Sequence, residues 1–446
     1  MAKTGGDGFT HVLVLIGTRP EAIKMFPLVH ALRASERFEP VVITTGQHAD
    51  LVRPILELAG IEPDYDLMVG HADLTLNELV MNVVDRLDSY CRHRFGATGA
   101  AVATRADIRE DGFPAAALVH GDTSSAMAAA LAAFNLRIPV AHVEAGLRTW
   151  STLTPFPEEL NRQLISRIAA FHFAPTSTAE ENLVREGVPY NQIFVTGNTG
   201  IDALRYAARQ EVEFDDPDVA DAVASDDLLV LVTAHRRENW NGGLGRIAEA
   251  IGRLAAAHPE ARFVIPLHPN PLVRAELGEP LAAHSNVVRT EPQAYAPFAR
   301  LMSRSTVIVT DSGGIQEEAP ALGVPVLVAR DSTEREEGVT AGTLRLVGTD
   351  ADRIVAETEA VLADPGAYRL DPARNPYGDG RASERIVTAL GYVGGGAEVP
   401  IRFGPGFSRK AVLLAAGYPA GSYTAVREGR NVQPDRSEEY DRWVGR

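Results

Sequence analysis

Three acidic residues in the first half of the chain sit where they could share one site: Asp122 in His120-Gly121-Asp122-Thr123, Glu144 in His142-Val143-Glu144-Ala145-Gly146-Leu147-Arg148, and Glu158 in Pro157-Glu158-Glu159-Leu160-Asn161-Arg162. Asp122 and Glu144 follow short apolar runs that read as strands, and residues at the carboxyl ends of strands in an open α/β sheet face the ligand crevice. Carboxylates gathered there suit general acid–base work. Each has an ordinary alternative: Asp122 as the N-cap of the next helix, Glu144 and Glu158 as ion-pair partners of Arg148 and Arg162.

Two strand-to-helix junctions suit an anion. Gly17-Thr18-Arg19-Pro20-Glu21-Ala22-Ile23-Lys24 follows a strand and opens a helix, so free amides at the helix start, with Arg19 and Lys24, would hold a phosphate or polarise a leaving group. In Thr310-Asp311-Ser312-Gly313-Gly314-Ile315-Gln316-Glu317-Glu318, the paired glycines let backbone amides approach a diphosphate. Glu318, about one helical turn in, would accept hydrogen bonds from ribose hydroxyls. A plain turn is the bland reading of both junctions. His235, in Thr233-Ala234-His235-Arg236-Arg237-Glu238-Asn239, follows a strand and has two arginines beside it, which suits a diphosphate or leaving group as well as a solvated loop. His268, in Leu267-His268-Pro269-Asn270-Pro271, reads as structural or regulatory.

The elements that must carry these residues are strands and helices in alternation. Short runs of Val, Ile, Leu and Ala at 11–17, 40–45, 115–120, 140–144, 172–175 and 193–197 read as strands buried on both faces. A second series follows at 228–234, 262–267, 287–290, 306–310, 325–329 and 344–347, so two parallel open sheets in tandem are expected. Between them a helix starts at Ile201 and an acidic loop covers 211–218, with a hinge at 197–200. Residues 94–114 read as a surface insertion without chemistry. After a helical segment at 383–390 comes a tail rich in Gly, Pro and charge, including Gly394-Gly395-Gly396, whose role composition does not reveal.

At 446 residues the chain exceeds what one core organises, so two domains are expected. With 43 Lys and Arg against 59 Asp and Glu, a basic surface for nucleic acid is disfavoured, and an anionic ligand needs a local basic pocket. Cys91 is the only cysteine, which rules out an internal disulfide and any Cys-based zinc cluster and fits a reducing compartment. Residues 1–10 lack the apolar core of a signal peptide and no apolar run reaches transmembrane length, so a cytoplasmic protein off the membrane is expected. Neither GxGxxG nor GxxxxGK[ST] is present, and HExxH is absent, so no bound NAD, ATPase activity or metal is expected.

Taken together, GTRPEAIKM, HGDT, HVEAGLR, PEE.NR, TGNT.ID, HRREN, HPNP, TDSGGIQEEAP and TAGT.RLVG, in this order between Val12 and Leu390, resemble the non-hydrolysing UDP-N-acetylglucosamine 2-epimerases. The resemblance implies a GT-B architecture, two Rossmann-like domains with parallel sheets facing across a central cleft: residues 9–197, joined by a returning helix at 382–392, and a UDP-binding domain at 198–381, with 393–446 as an extension. It implies a homodimer and no cofactor. Carried over position by position, Arg19, Lys24, Asp122, Glu144, Glu158 and Arg162 match the first-domain site. His235, Gln293, Phe298, Ser312, Gly313, Gly314, Glu318 and Arg335 match the nucleotide side, with Gln293 and Phe298 addressing uracil. The implied reaction interconverts UDP-GlcNAc and UDP-ManNAc by expelling UDP to give 2-acetamidoglucal and adding it back. Gln47, Arg236 and His268 match a second UDP-GlcNAc pocket of regulated relatives. Asp50 and the lack of a basic residue near 70–74 depart from that pattern. A GT-B glycosyltransferase, a hydrolysing epimerase, a UDP-sugar sensor and an epimerase of a related UDP-2-acetamido sugar are the rival readings.

Overall fold

A strand covered on both faces needs apolar side chains in both directions, and the short Val, Ile, Leu and Ala runs meet that need. In the computed structural model, which describes residues 11–70, 74–96, 113–393 and 398–435, they build two parallel sheets. The first comprises β1 His11–Ile16, β2 Glu39–Thr44, β3 Tyr65–Asp66, β4 Ala116–His120, β5 Val140–Val143, β6 Phe171–Ala174 and β7 Ile193–Val195, in the order β3-β2-β1-β4-β5-β6-β7. The second comprises β8 Leu229–Thr233, β9 Arg262–Pro266, β10 Val287–Thr290, β11 Val307–Thr310, β12 Val326–Val328 and β13 Leu344–Leu346, in the order β10-β9-β8-β11-β12-β13. Both are doubly wound α/β sheets of the kind paired in the GT-B class. In each, the order reverses once, between β1 and β4 and between β8 and β11. Ligands of open α/β sheets bind beyond the strand ends at such reversals.

The described chain divides into two compact units, one running to Thr199 and resuming at Arg381, the other spanning Gly200–Gly380. Each has its own core: Leu13, Leu15, Ile43 and Val119 are buried in the first, Val230, Val232, Phe263 and Val309 in the second. The helix Ser124–Asn135 is largely alanine on its buried side, which lets it lie close against the first sheet. Helix Ala382–Val393 packs on helix Arg19–Ala34, and Arg37 Nη1 donates to the Gly391 carbonyl at 3.0 Å.

The structure corrects several sequence expectations. β3 is a two-residue edge strand, Tyr65-Asp66, with no apolar run to announce it. The acidic stretch at 211–218 runs into a helix, Pro217–Ala224, whose N-cap Asp216 accepts from the Asp218 amide, so its acidic end is a helix start rather than a loop. Helix Leu76–Phe95, closed by Gly96 in the left-handed region, takes in the first residues of the expected insertion, and 97–112 lie outside the described residues, as do Gly394-Gly395-Gly396. No helix among the described residues is long and apolar enough to cross a membrane.

Candidate active site

At the β1 junction, Gly17 and Thr18 do not offer free amides to an anion. Both donate to Glu21 Oε2, at 2.6 and 2.7 Å, and the Thr123 hydroxyl donates to Glu21 Oε1 at 2.6 Å. Glu21 thus reaches back to the N-cap amide of Thr18 as in one half of a capping box, while the Thr18 hydroxyl is buried without a partner. Burial pushes the Glu21 carboxyl above its ordinary pKa, against the hydrogen bonds from Thr123, Gly17 and Thr18. The Gly17 and Thr18 amides are therefore taken up within the turn and are no part of the expected phosphate cradle. Arg19 stands exposed at the start of the helix.

Lys24, further along the same helix, forms an ion pair with Glu144 Oε1, and His120 Nε2 lies 3.5 Å from Oε2. Glu144 follows β5 with φ of 63°, a left-handed conformation unfavourable for a side chain that size. Burial alone would raise its pKa, but the Lys24 ammonium, His120 and Arg162 bring it down to about 2. Burial pushes His120 down to about 4, so at neutral pH its ring is uncharged and Lys24 is the nearest cation holding Glu144 ionised.

Asp122 is not the N-cap of the helix after β4. Thr123 is, accepting from the Ala126 amide at 3.0 Å. The Asp122 carboxylate instead meets Arg162, with Nε at 2.8 Å and Nη2 at 2.6 Å from Oδ2. Burial raises its pKa, Arg162 opposes, and the nearby charges of Glu144 and Glu158 raise it further. The three carboxylates are thus within electrostatic reach of one another. Asn161 Nδ2 donates to the Asp122 carbonyl at 2.9 Å, and buried His142 donates through Nε2 to the Gly121 carbonyl at 2.7 Å, fixing the turn that aims Asp122.

Glu158 and Glu159 open the helix Glu158–Ile168 with different surroundings. Glu159 is buried and accepts from the Thr149 amide, Arg162 Nη1 and Gln163 Nε2 at 2.9–3.0 Å. Glu158 Oε2 is buried without a hydrogen-bond partner. Arg148 pairs with Glu186 rather than Glu144, and Arg162 with Asp122 and Glu159 rather than Glu158, so the ordinary alternatives for these carboxylates do not hold.

The second unit is organised by Asp311, at the end of β11 and fully buried. It accepts from the His235 amide at 2.9 Å, the Arg236 amide at 2.8 Å and Asn239 Nδ2 at 2.9 Å, which pins the loop after β8 to the switch point. The His235 ring stacks on His268, centroids 5.3 Å apart. Burial lowers the His235 pKa, Asp311 pulls it up, and His268 and Arg236 push it down again. Ser312 caps the short helix Gly313–Glu318. No heavy atom lies within 4 Å of where a Cβ on Gly314 would stand, whereas one on Gly313 would fall 2.7 Å from the Arg335 guanidinium carbon. Arg335 pairs with Glu317 at 3.0 Å and with Glu334. Glu318 is half-buried beside them. Gln293 Nε2 donates to Thr290 Oγ1 and the Glu291 carbonyl, and half-buried Phe298 lies on the helix Tyr295–Arg304.

Sequence reasoning missed three residues that hold the site: Glu21, Glu159 and Asp311. Thr18-x-x-Glu21 is a capping-box spacing and could have identified the first. Glu159 and Asp311 carry no such signal. Of the residues matched to a regulatory pocket, Gln47 has a buried, unpartnered Oε1 and His268 is taken up in the stack on His235, while 71–73 lie outside the described residues.

Comparisons with known proteins point to one family. The family model described as UDP-N-acetylglucosamine 2-epimerase matches residues 93–391. UDP-N-acetylglucosamine 2-epimerases of Yersinia pestis and Escherichia coli (strain K12) are each 45% identical, over 85% of this chain and 98% of their own length. A Neisseria meningitidis UDP-GlcNAc 2-epimerase, solved bound to UDP-GlcNAc, aligns with a TM-score of 0.74 and 40% identity, covering 85% of this chain and 99% of its own. A Listeria monocytogenes relative aligns with a TM-score of 0.78 and 38% identity, covering 89% and 99%. With the family match running through well over half of its length, the chain belongs to the UDP-N-acetylglucosamine 2-epimerase family.

Proposed function

We propose that this protein interconverts UDP-GlcNAc and UDP-ManNAc without hydrolysis, by elimination of UDP and its re-addition. The C2 hydrogen of the sugar has no adjacent carbonyl to acidify it, so its removal must be coupled to departure of the group at C1. A base takes the C2 proton, the C–H electrons form the C1–C2 double bond of 2-acetamidoglucal, and the C1–O electrons leave on UDP. Reversal with protonation from the opposite face inverts C2. This demands a base, a second proton carrier and charge stabilisation at the diphosphate.

Asp122 suits the base. Burial and two neighbouring carboxylates raise its proton affinity while Arg162 keeps it oriented. The Asp122 carboxylate held by Arg162 at the switch point of the first sheet is the observation that carries the reading. Glu158, with an unpartnered oxygen, suits the second proton transfer. Glu144, held ionised by Lys24, is a poor proton store and suits orienting the sugar. In the second unit, His235, Arg335 and the loop Ser312-Gly313-Gly314 would receive UDP, with Gln293 and Phe298 at the uracil and Glu318 at the ribose. The working form would be a cytoplasmic homodimer.

Incubation of the purified protein, stripped of dinucleotide, with UDP-GlcNAc in D2O tests this. Deuterium at C2 and appearance of UDP-ManNAc are expected, followed by NMR. Unchanged C2 configuration and hydrogen would refute the proposal, and turnover only with an added acceptor would indicate a glycosyltransferase.

A further inference from the structure

The family match ends at residue 391, so the segment after the returning helix lies outside the matched family model. Its described part, 398–435, is seated on the first unit. Helices Arg409–Ala415 and Ser422–Arg427 and the turn between them contribute Leu413, Val426 and Tyr418 to one apolar cluster with Ala179, Leu183, Val184, Val195 and Ala145. The Phe403 amide donates to the Val195 carbonyl at 2.9 Å, which covers part of the open edge of β7.

At the centre of this contact is a buried carboxylate. Glu180, on the helix Ser177–Arg185, is wholly shielded from solvent, and both its cationic partners come from the extension: Arg402 Nη1 at 2.5 Å and Arg409 Nη2 at 3.1 Å. A buried carboxylate without cationic partners is strongly disfavoured, so the docked extension and the placement of this helix depend on each other. Ser177 Oγ adds a bond to the Pro405 carbonyl at 2.7 Å.

The same helix also contacts the loop that begins at Glu144. Asn182 Nδ2 donates to the Gly146 carbonyl at 3.0 Å, and Gly146, with φ of 95°, lies so close to Ala179 that a Cβ would fall 2.7 Å from its carbonyl carbon. Arg148, fully buried, pairs with Glu186 just past the helix at 2.6 Å. Glu144 itself holds a left-handed conformation that only its surroundings can maintain.

We infer that the C-terminal extension is a built-in brace for the reaction site, with Arg402, Arg409 and Glu180 as positioning residues that hold residues 144–148 through the helix Ser177–Arg185. The inference rests on the proposed epimerase function for its kinetic consequence, and on geometry alone for its structural one.

The test compares the full-length chain with R402A/R409A, the milder R409A and the conservative R402K/R409K. Hydrogen–deuterium exchange of peptides covering 141–150 reads the loop directly, and kcat and KM for UDP-GlcNAc are taken per folded molecule. Exchange at 144–148 is expected to quicken in R402A/R409A, with kcat down about tenfold because small misplacements of a reacting group cost rate steeply. KM should stay within about twofold, since the lesion lies in the unit without the nucleotide loops. R402K/R409K should regain most of kcat. If the double variant does not fold, R409A carries the same comparison. Unchanged exchange at 144–148, or a kcat per folded molecule within about twofold of wild type, overturns the brace. A wild-type protein inert toward UDP-GlcNAc whose loop still loosens in the variant would instead overturn the function and leave the brace standing.

Discussion

Replacing Lys24 with methionine removes the cation that keeps Glu144 ionised and leaves a similar hydrocarbon stem. Bringing the Glu144 carboxyl from 4.5 to about 2 corresponds to roughly 3 kcal/mol at about 1.4 kcal/mol per pH unit. Both partners are largely shielded, with side chains 26% and 13% exposed, so screening by water and salt is limited. A folded-state pKa below the unfolded one contributes stability that is fully present above pH 4.5 and lost as pH falls through about 2. In K24M the largest of the lowering influences is gone, the Glu144 pKa moves up, and stability that its ionised form contributed is lost at neutral pH. The gap between wild type and K24M in urea titrations followed by circular dichroism should therefore widen from pH 4 to pH 7, reaching about 3 kcal/mol. Adding E144Q should recover most of the loss, because the buried charge goes with its partner. A gap below about 1 kcal/mol at pH 7, a gap independent of pH, or a double variant no better than K24M would refute this account of the pair.

Asp122→Asn should abolish exchange of the C2 hydrogen with D2O while UDP affinity, measured calorimetrically, stays within about twofold, because the lesion is confined to the base; retained exchange would remove Asp122 from that role. Gly314→Ala meets no atom in the free protein, so its melting temperature should not change, yet a diphosphate seated there would clash and UDP should bind about tenfold more weakly. Gly313→Ala should weaken UDP binding too, by displacing the Arg335 guanidinium; unaltered UDP affinity in both variants would place the diphosphate elsewhere. His268→Ala strips the stacked ring and its charge from His235, so the His235 imidazole, held below 6.5 by burial and by His268, should titrate higher in NMR, and an unmoved midpoint would show that the stack does not set it.

What could be read from the sequence followed how locally each feature is encoded. A strand buried on both faces must be apolar throughout, so the runs around β1, β4, β8 and β11 were legible to within a residue or two. β3 was not, because an edge strand of Tyr65 and Asp66 is fixed by its partner Ile43-Thr44 rather than by its own residues. The same division runs through the site. Carboxylates at strand ends could be located, but their partners could not: Lys24 and Glu144 are 120 residues apart, Arg162 and Asp122 are 40 apart, and any of several basic residues would have satisfied composition equally well. Those partners decide the chemistry. Paired with Lys24, Glu144 is a fixed anion; Glu158 is left without a hydrogen bond at Oε2; and Glu21 spends one oxygen on its own turn and the other on Thr123, 102 residues away. Glu180 is the extreme case, a charged residue on an otherwise unremarked helix, buried only because two arginines more than 200 positions later close over it. The surroundings of Glu144, Glu21 and Glu180, side chains of identical chemistry, are thus set in whole or in part by partners far away in the chain, which is why the spacing of motifs leads to the family but not to the electrostatics of each carboxylate.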